Sequence, residues 1–345
     1  MSIGVVILSG GESRRFQKPG SSRKDKALGI VNGKRMIEWI IDTAYQISDK
    51  VAIIVRDEEK VKSYSEIFSK NYPSLRIASD MEGFGHSPLV GLATGARIIE
   101  DDLILVLPCD TPYVKRDVLK LLVDKAKDFD SVSPLWPDGK VEPLMAVYRR
   151  EHVLLCYPAL LSLKRWRPDD IIRGSKESYL INVENMREKD QELISFFNIN
   201  YPEDVKSKKR IKSIKGIKED KIIYPNNVSM KKIKEVINSI LNKDLNLKII
   251  DDLKNSPFLL SILSMSLYDK FGEKWLELAG RSFEDEANYY LKEEIRMLVL
   301  HAILDSLSCW KELGSIKDVE RLSKMVMNLE KNVSIDFEGK LYGSK

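Results

Sequence analysis

Long apolar runs are missing from this chain. The longest, such as Leu103 to Pro108 and Phe258 to Leu263, fall far short of the roughly twenty residues that cross a bilayer, so no membrane span is expected. Cysteine is scarce. Cys109, Cys156 and Cys309 are an odd number at wide spacing, which fits reduced thiols in a core rather than a disulfide framework or a zinc site. Excess charge of one sign is also lacking: 56 Lys and Arg face 52 Asp and Glu, and a net charge of +4 does not by itself call for nucleic acid as a partner. The N-terminus shows no basic region followed by a small-residue cleavage site, and a cytoplasmic location is the expectation. Two familiar phosphate loops are excluded as well. No Gly-Lys-Ser/Thr follows a glycine at P-loop spacing, and the third glycine of G-x-G-x-x-G is absent. His301 lies seven residues after Glu294 with no Glu-x-x-His pair, so a carboxylate metal site between helices is not expected.

What is present is a globular composition, 43% hydrophobic and 31% charged over 345 residues, with room for roughly two domains. From residue 1 to about 205, short apolar strands (Gly4 to Leu8, Val51 to Val55, Leu75 to Ala78, Leu103 to Leu107) alternate with helical patterns around Met36 to Ile47 and Leu89 to Ile99. That alternation predicts βαβ units and a mostly parallel, helix-covered α/β sheet. Ligands of such sheets sit beyond the carboxyl ends of the strands, where the loops bearing Gly10, Arg56, Asp80 and Asp110 should gather. Residues 206 to 222 form a basic stretch with little apolar periodicity and read as a solvated linker. Residues 223 to 345 read as a small all-α domain. Its apolar stripes run through Ile233, Val236, Ile237, Ile240 and Leu241, through Leu259, Leu263, Leu267 and Phe271, and through Leu291, Ile295, Leu298, Val299, Ala302 and Ile303. Trp275, Phe283, Tyr289, Tyr290 and Trp310 read as its core, with a partner surface as the alternative.

The chemistry concentrates in the first twenty-eight residues. An apolar run from Ile3 to Leu8 empties into Ser9-Gly10-Gly11-Glu12-Ser13-Arg14-Arg15 and then Asp25-Lys26-Ala27-Leu28. Adjacent glycines allow backbone angles closed to other residues, so successive N–H groups can converge on phosphate oxygens while Arg15 and Lys26 neutralise charge. Asp110 ends an apolar strand and Thr111-Pro112 stops it. A single carboxylate facing a phosphate loop suits Mg²⁺, which takes one or two carboxylates together with phosphate oxygens and water. Asp80 is the second acid at a strand end, and Pro88-Leu-Val-Gly91 opens a helix whose first N–H groups can meet a base or ribose. His86, between Gly85 and Ser87, reads as a loop histidine.

Leu8-Ser-Gly-Gly-Glu-Ser-Arg-Arg15, Asp25-Lys-Ala-Leu28, Asp80, Pro88-Leu-Val-Gly-Leu92, Pro108-Cys-Asp-Thr-Pro112, Glu142-Pro-Leu144 and Asn198-Ile-Asn-Tyr-Pro-Glu-Asp204 occur in the order that resembles the molybdenum cofactor guanylyltransferases. The resemblance covers residues 1 to about 205. It implies a nucleotide-diphospho-sugar-transferase-like α/β domain and transfer of a guanylyl group from GTP to the terminal phosphate of molybdopterin or Mo-molybdopterin. It further implies that Leu8, Ser9, Gly10, Gly11, Lys26, Asp80 and Asp110 bind GTP and that Asp110 holds Mg²⁺. Arg15 is then expected to stabilise the triphosphate, and Asn198 and Asn200 to lie on the pterin side. Phe16-Gln17 and the basic loop Lys18 to Lys24 depart from the family's Met-Gly and short spacer, Arg56 stands where the family often has Asn, and Tyr201 replaces a threonine. Two alternatives remain open. One is cytidylyl or other nucleotidyl transfer to a pterin or sugar phosphate; the other is a non-catalytic GTP-binding adaptor whose helices dock on a molybdoenzyme or cofactor-biosynthesis protein.

Overall fold

The computed structural model of the chain describes residues 1–11, 25–201, 204, 211, 215–241 and 252–332. Among these residues the frame is an eight-stranded sheet in the order β10-β9-β7-β8-β6-β1-β4-β5. Its strands are β1 (Ile3–Ser9), β4 (Val51–Val55), β5 (Arg76–Ser79), β6 (Leu103–Pro108), β7 (Ser131–Leu135), β8 (Ala146–Arg149), β9 (Ser178–Asn182) and β10 (Lys221–Ile223). A separate ribbon pairs β2 (Ile30–Val31) with β3 (Lys34–Arg35). The strands β6, β1, β4 and β5 are mutually parallel, so their carboxyl ends share one edge; β8 runs against β6 and β7, and β9 parallel to β7.

The central strands are apolar on both faces because both faces are covered. In β1, Val6 joins one core while Val5 and Ile7 join the other, and Ile104 and Val106 of β6 likewise oppose Leu103, Leu105 and Leu107. One face is covered by α1 (Met36–Tyr45), α2 (Glu58–Phe68) and α4 (Arg116–Lys125), the other by α3 (Pro88–Ile98) and α5 (Arg150–Ser162). Helix α3 lies close to β1 because glycine leaves the room: a Cβ at Gly95 would stand 2.6 Å from a Val6 methyl, and one at Gly91 would stand 3.0 Å from Leu8 Cδ2.

The C-terminal helices are α7 (Met230–Leu241), α8 (Pro257–Phe271), α9 (Glu273–Lys292), α10 (Arg296–Glu312) and α11 (Ile316–Asn332), which follow the short α6 (Asp169–Arg173). Their apolar side chains belong to the same core as Val6, Val106 and the buried residues of α5. Phe283 and Tyr290 are fully buried within it, as an aromatic core requires. Among the described residues no helix is long and apolar enough to cross a membrane.

Two features differ from the sequence-based expectation. The linker assigned to residues 206–222 ends inside the sheet, because Lys221 and Ile222 pair with Leu180 and Tyr179 as part of the edge strand β10. A three-residue strand carries too little alternation to stand out from a lysine-rich stretch, and lysine is ordinary at a sheet edge. Lys206, Lys208, Lys209, Arg210 and Lys212 of that stretch lie outside the described residues. The stripe from Leu291 to Ile303 is also not one helix. The chain breaks at Glu294, whose φ is +61°, leaving Leu291 exposed on α9 and starting α10 at Arg296.

Candidate functional site

The parallel strands deliver Ser9, Asp80 and Cys109-Asp110 to the same edge of the sheet. Asp80 follows β5 and continues its pairing, its N–H donating to the Val55 carbonyl at 2.9 Å; Cys109 follows β6 and donates to the Leu8 carbonyl at 3.2 Å. Asp110 comes next, where the strand can no longer pair.

Lys26, Asp110 and Asn200 converge there. Lys26 Nζ donates to Asp110 Oδ2 and to Asn200 Oδ1, both at 2.9 Å. The geometry is fixed from three sides. Asp25 caps the short 3₁₀ turn Lys26–Leu28 by accepting from Ala27 N at 3.1 Å, the Asp110 carbonyl accepts from Ile199 N at 2.9 Å, and Asn200 N donates to Asp204 Oδ2 at 2.9 Å. Asn198 is exposed two residues before Asn200. The cluster is partly open, with the Lys26 side chain 13% and the Asp110 side chain 24% exposed, so a ligand can reach it.

Asp80 forms a second centre. It is 8% exposed, and its Oδ2 lies 3.1 Å from His86 Nδ1. A Cβ at Gly10 would stand 3.5 Å from Asp80 Oδ2 and one at Gly91 the same distance from Oδ1, so the carboxylate sits between the glycine turn and the first turn of α3. Ser87 caps that helix through Val90 N, and Pro88 starts it. Burial pushes the Asp80 carboxyl above its ordinary range, while His86 and then Arg56 pull it back.

The glycine turn works differently from the sequence-based expectation. Neither Gly10 nor Gly11 adopts a left-handed φ, so what glycine provides here is space. Among the described residues, nothing lies within 4 Å of a Cβ built on the exposed Gly11. Ser9 is 2% exposed, and its hydroxyl points inward to Tyr64, 2.9 Å away, which leaves only its backbone for a ligand. Leu8 is half-buried beside Gly91. Arg15 lies outside the described residues. Burial, with Asp110 beside it, pushes the Cys109 thiol up to about 12, which favours the protonated form.

Sequence reasoning missed three participants. His86 looked like a loop residue because its partner Asp80 is set by the fold of an intervening glycine loop. Tyr64 and Lys60, which hold Asp25 from α2, carry no motif at all; a tyrosine on the buried face of an amphipathic helix is indistinguishable from core.

A family model described as the MobA-like NTP transferase domain matches residues 5–174. A "Probable molybdenum cofactor guanylyltransferase" of Bacillus subtilis is 31% identical over 204 residues, which are 58% of this chain and 90% of the relative. Another of the same name, from Methanosarcina acetivorans, is 29% identical over 210 residues, 60% of this chain and 89% of the relative. Among solved structures, molybdopterin-guanine dinucleotide biosynthesis protein A from Archaeoglobus fulgidus is 26% identical with a TM-score of 0.48, over 59% of this chain and 95% of that one. The residues matched by the family model hold Lys26, Asp110, Asp80 and His86, and Asn200 lies beyond them. With nine-tenths of the Bacillus relative covered at that identity, the chain belongs to the family of MobA-like nucleotidyltransferases.

Proposed function

We propose that this chain transfers GMP from GTP to the phosphate of molybdopterin or Mo-molybdopterin and releases pyrophosphate. The observation that carries the reading is the Lys26, Asp110 and Asn200 constellation at the strand ends, in a chain similar to relatives named for guanylyl transfer. An oxygen of the acceptor phosphate attacks the α-phosphorus of GTP. That P–O bond forms as the bond bridging the α- and β-phosphorus breaks, and its electron pair leaves with pyrophosphate. No protein nucleophile is required. Two anions must be held in line and their charge neutralised, the roles proposed for Lys26 and for the backbone N–H groups of the glycine turn. Asn200, bonded to the same Nζ, places the acceptor side against the nucleotide side.

Asp110 fits Mg²⁺ as a single carboxylate. The remaining ligands would be phosphate oxygens and water, the set magnesium prefers. Bound there, the ion supplies neutralisation of the triphosphate charge.

Asp80 reads the base. Guanine offers two donors on one edge, N1–H and the 2-amino group, and an ionised carboxylate accepts both. A protonated Asp80 loses an acceptor. Because burial raises its pKa, GTP affinity should begin to fall on acidification above the ordinary carboxylate range. His86→Gln removes a group that pulls Asp80 down, so that acid limb should move to higher pH, while affinity in the alkaline plateau stays near wild type. Titrating GTP affinity against pH for both proteins checks this; superimposable curves would show that His86 does not act on Asp80.

The reading as a whole is tested by pyrophosphate release with Mg²⁺ and each of the four nucleoside triphosphates, with and without molybdopterin or its molybdenum form. Release with GTP only when pterin is present is the expected result. Preference for CTP would move the assignment to cytidylyl transfer, and retained GTP binding without release would make the chain an adaptor.

A further inference from the structure

The two segments that approach the nucleotide, Ser9 to Gly11 and Asp25-Lys26, are joined through a single buried hydroxyl. Tyr64 projects from α2 and is 1% exposed, with its ring edge-on to Phe68 at 5.5 Å between centroids. Its hydroxyl lies 2.9 Å from Ser9 Oγ and donates to Asp25 Oδ2 at 3.1 Å. The protons can be assigned by elimination. An ionised carboxylate only accepts, so the one phenolic proton goes to Asp25 and Ser9 must donate to the phenolic oxygen. Burial, reinforced by the Asp25 charge, pushes the phenol far above its ordinary range, which keeps that proton in place across the working pH range. One turn earlier on the same helix, Lys60 Nζ reaches the same Asp25 oxygen at 2.8 Å, as residues four apart on a helix can. Asp25 Oδ1 meanwhile caps the turn that carries Lys26.

We propose that Tyr64 is a positioning residue for nucleotidyl transfer, its hydroxyl setting the spacing between the glycine turn and Lys26. It touches no substrate and acts through Ser9 and Asp25. The inference rests on the reading that Lys26 meets the triphosphate. A buried hydroxyl is suited to this task because its two partners approach along fixed directions, so neither segment shifts without breaking a bond that water cannot replace. A displacement of about 1 Å in such a site costs on the order of a hundredfold in rate.

Tyr64→Phe keeps the ring and its packing and removes only the hydroxyl. The expected result is a kcat for GTP-dependent pyrophosphate release lower by roughly tenfold to a hundredfold, with a smaller change in KM, beside the modest drop in thermal midpoint that losing a buried hydrogen bond brings. Ser9→Ala cuts the same link from the other end and should lower kcat in the same sense, which keeps the test open should the Tyr64 variant fail to fold. Combined, the two changes should cost little more than either alone, because they break one chain. A purely structural tyrosine would lower the thermal midpoint and leave kcat unchanged. Lys26→Met separates the possible failures. If it abolishes turnover while Tyr64→Phe and Ser9→Ala turn over at the wild-type kcat, the positioning role is overturned and the site assignment stands; if Lys26→Met is fully active, the site assignment falls and the proposal with it.

Discussion

Replacing Asp110 with asparagine is expected to cut Mg²⁺-dependent turnover by on the order of a hundredfold or more while leaving the fold intact. The amide keeps the shape of the carboxylate and removes its charge. Lys26 then loses the ion pair at 2.9 Å that holds its ammonium group in place, while its bond to Asn200 remains. The backbone at Asp110 is fixed independently, since its carbonyl accepts from Ile199 N and the preceding Cys109 N–H bonds Leu8. Those bonds survive the substitution, so the thermal midpoint should move by no more than the loss of one partly exposed pair allows, about 1 kcal/mol or less. Steady-state pyrophosphate release over a Mg²⁺ series, set beside a melting curve, separates the two effects. Near wild-type turnover would overturn the assignment of Asp110, and a large loss of stability would assign it a structural role instead.

The contrast between what the residues announce and what only the fold reveals follows the range of the interactions. Strands β1, β4 and β6 are legible because a strand buried on both faces must be apolar along its length, and their shared carboxyl edge follows from their parallel run. Lys26 and Asp110 are legible as candidates because a short motif carries each, and the fold brings them into contact across 84 positions. Asn200, expected from the resemblance on the pterin side, is brought to the same ammonium group by the fold. The helical segment shows the opposite limit. Its stripes predict helices, yet the break at Glu294 is invisible in a pattern that continues in register across it. Arg165, Arg167 and Arg173 belong to no motif, and their carboxylate partners Asp305 and Glu286 arrive from more than a hundred residues later.

That buried charge carries the second large effect. Arg173 is fully buried on α6 and donates to Glu286 of α9 through two bonds, at 2.7 and 2.6 Å, to Asp305 of α10 at 2.7 Å and to Asp170 at 2.8 Å. The Phe258 ring of α8 lies 4.6 Å from its guanidinium carbon. Arg165 bridges Asp170 and Asp305 beside it, Arg167 reaches Asp305, and His301 meets Asp169 at 2.6 Å. Burial pushes Asp305 up, but Arg165, Arg167 and Arg173 outweigh it and hold its carboxyl well below the usual range. At Glu286 the balance is reversed: burial wins over Arg173, and its carboxyl is raised. Arg173→Met should therefore destabilise the protein by about 3–5 kcal/mol, because it leaves a buried carboxylate without its partner. Losing the cation raises Glu286 further. A carboxyl raised in the folded state imposes its cost above its unfolded pKa and is relieved as pH falls, so the deficit should shrink under mild acid. Adding Glu286→Leu to the Arg173 variant should recover much of the loss, since removing both partners of a buried pair is far cheaper than removing one. Because α8, α9 and α10 share a core with β1 and β6, denaturant unfolding of the single variant should remain one transition with a lowered midpoint. Two separated transitions would show that the helices fold as an independent unit, and a loss below about 1 kcal/mol would show that the network contributes little to docking them.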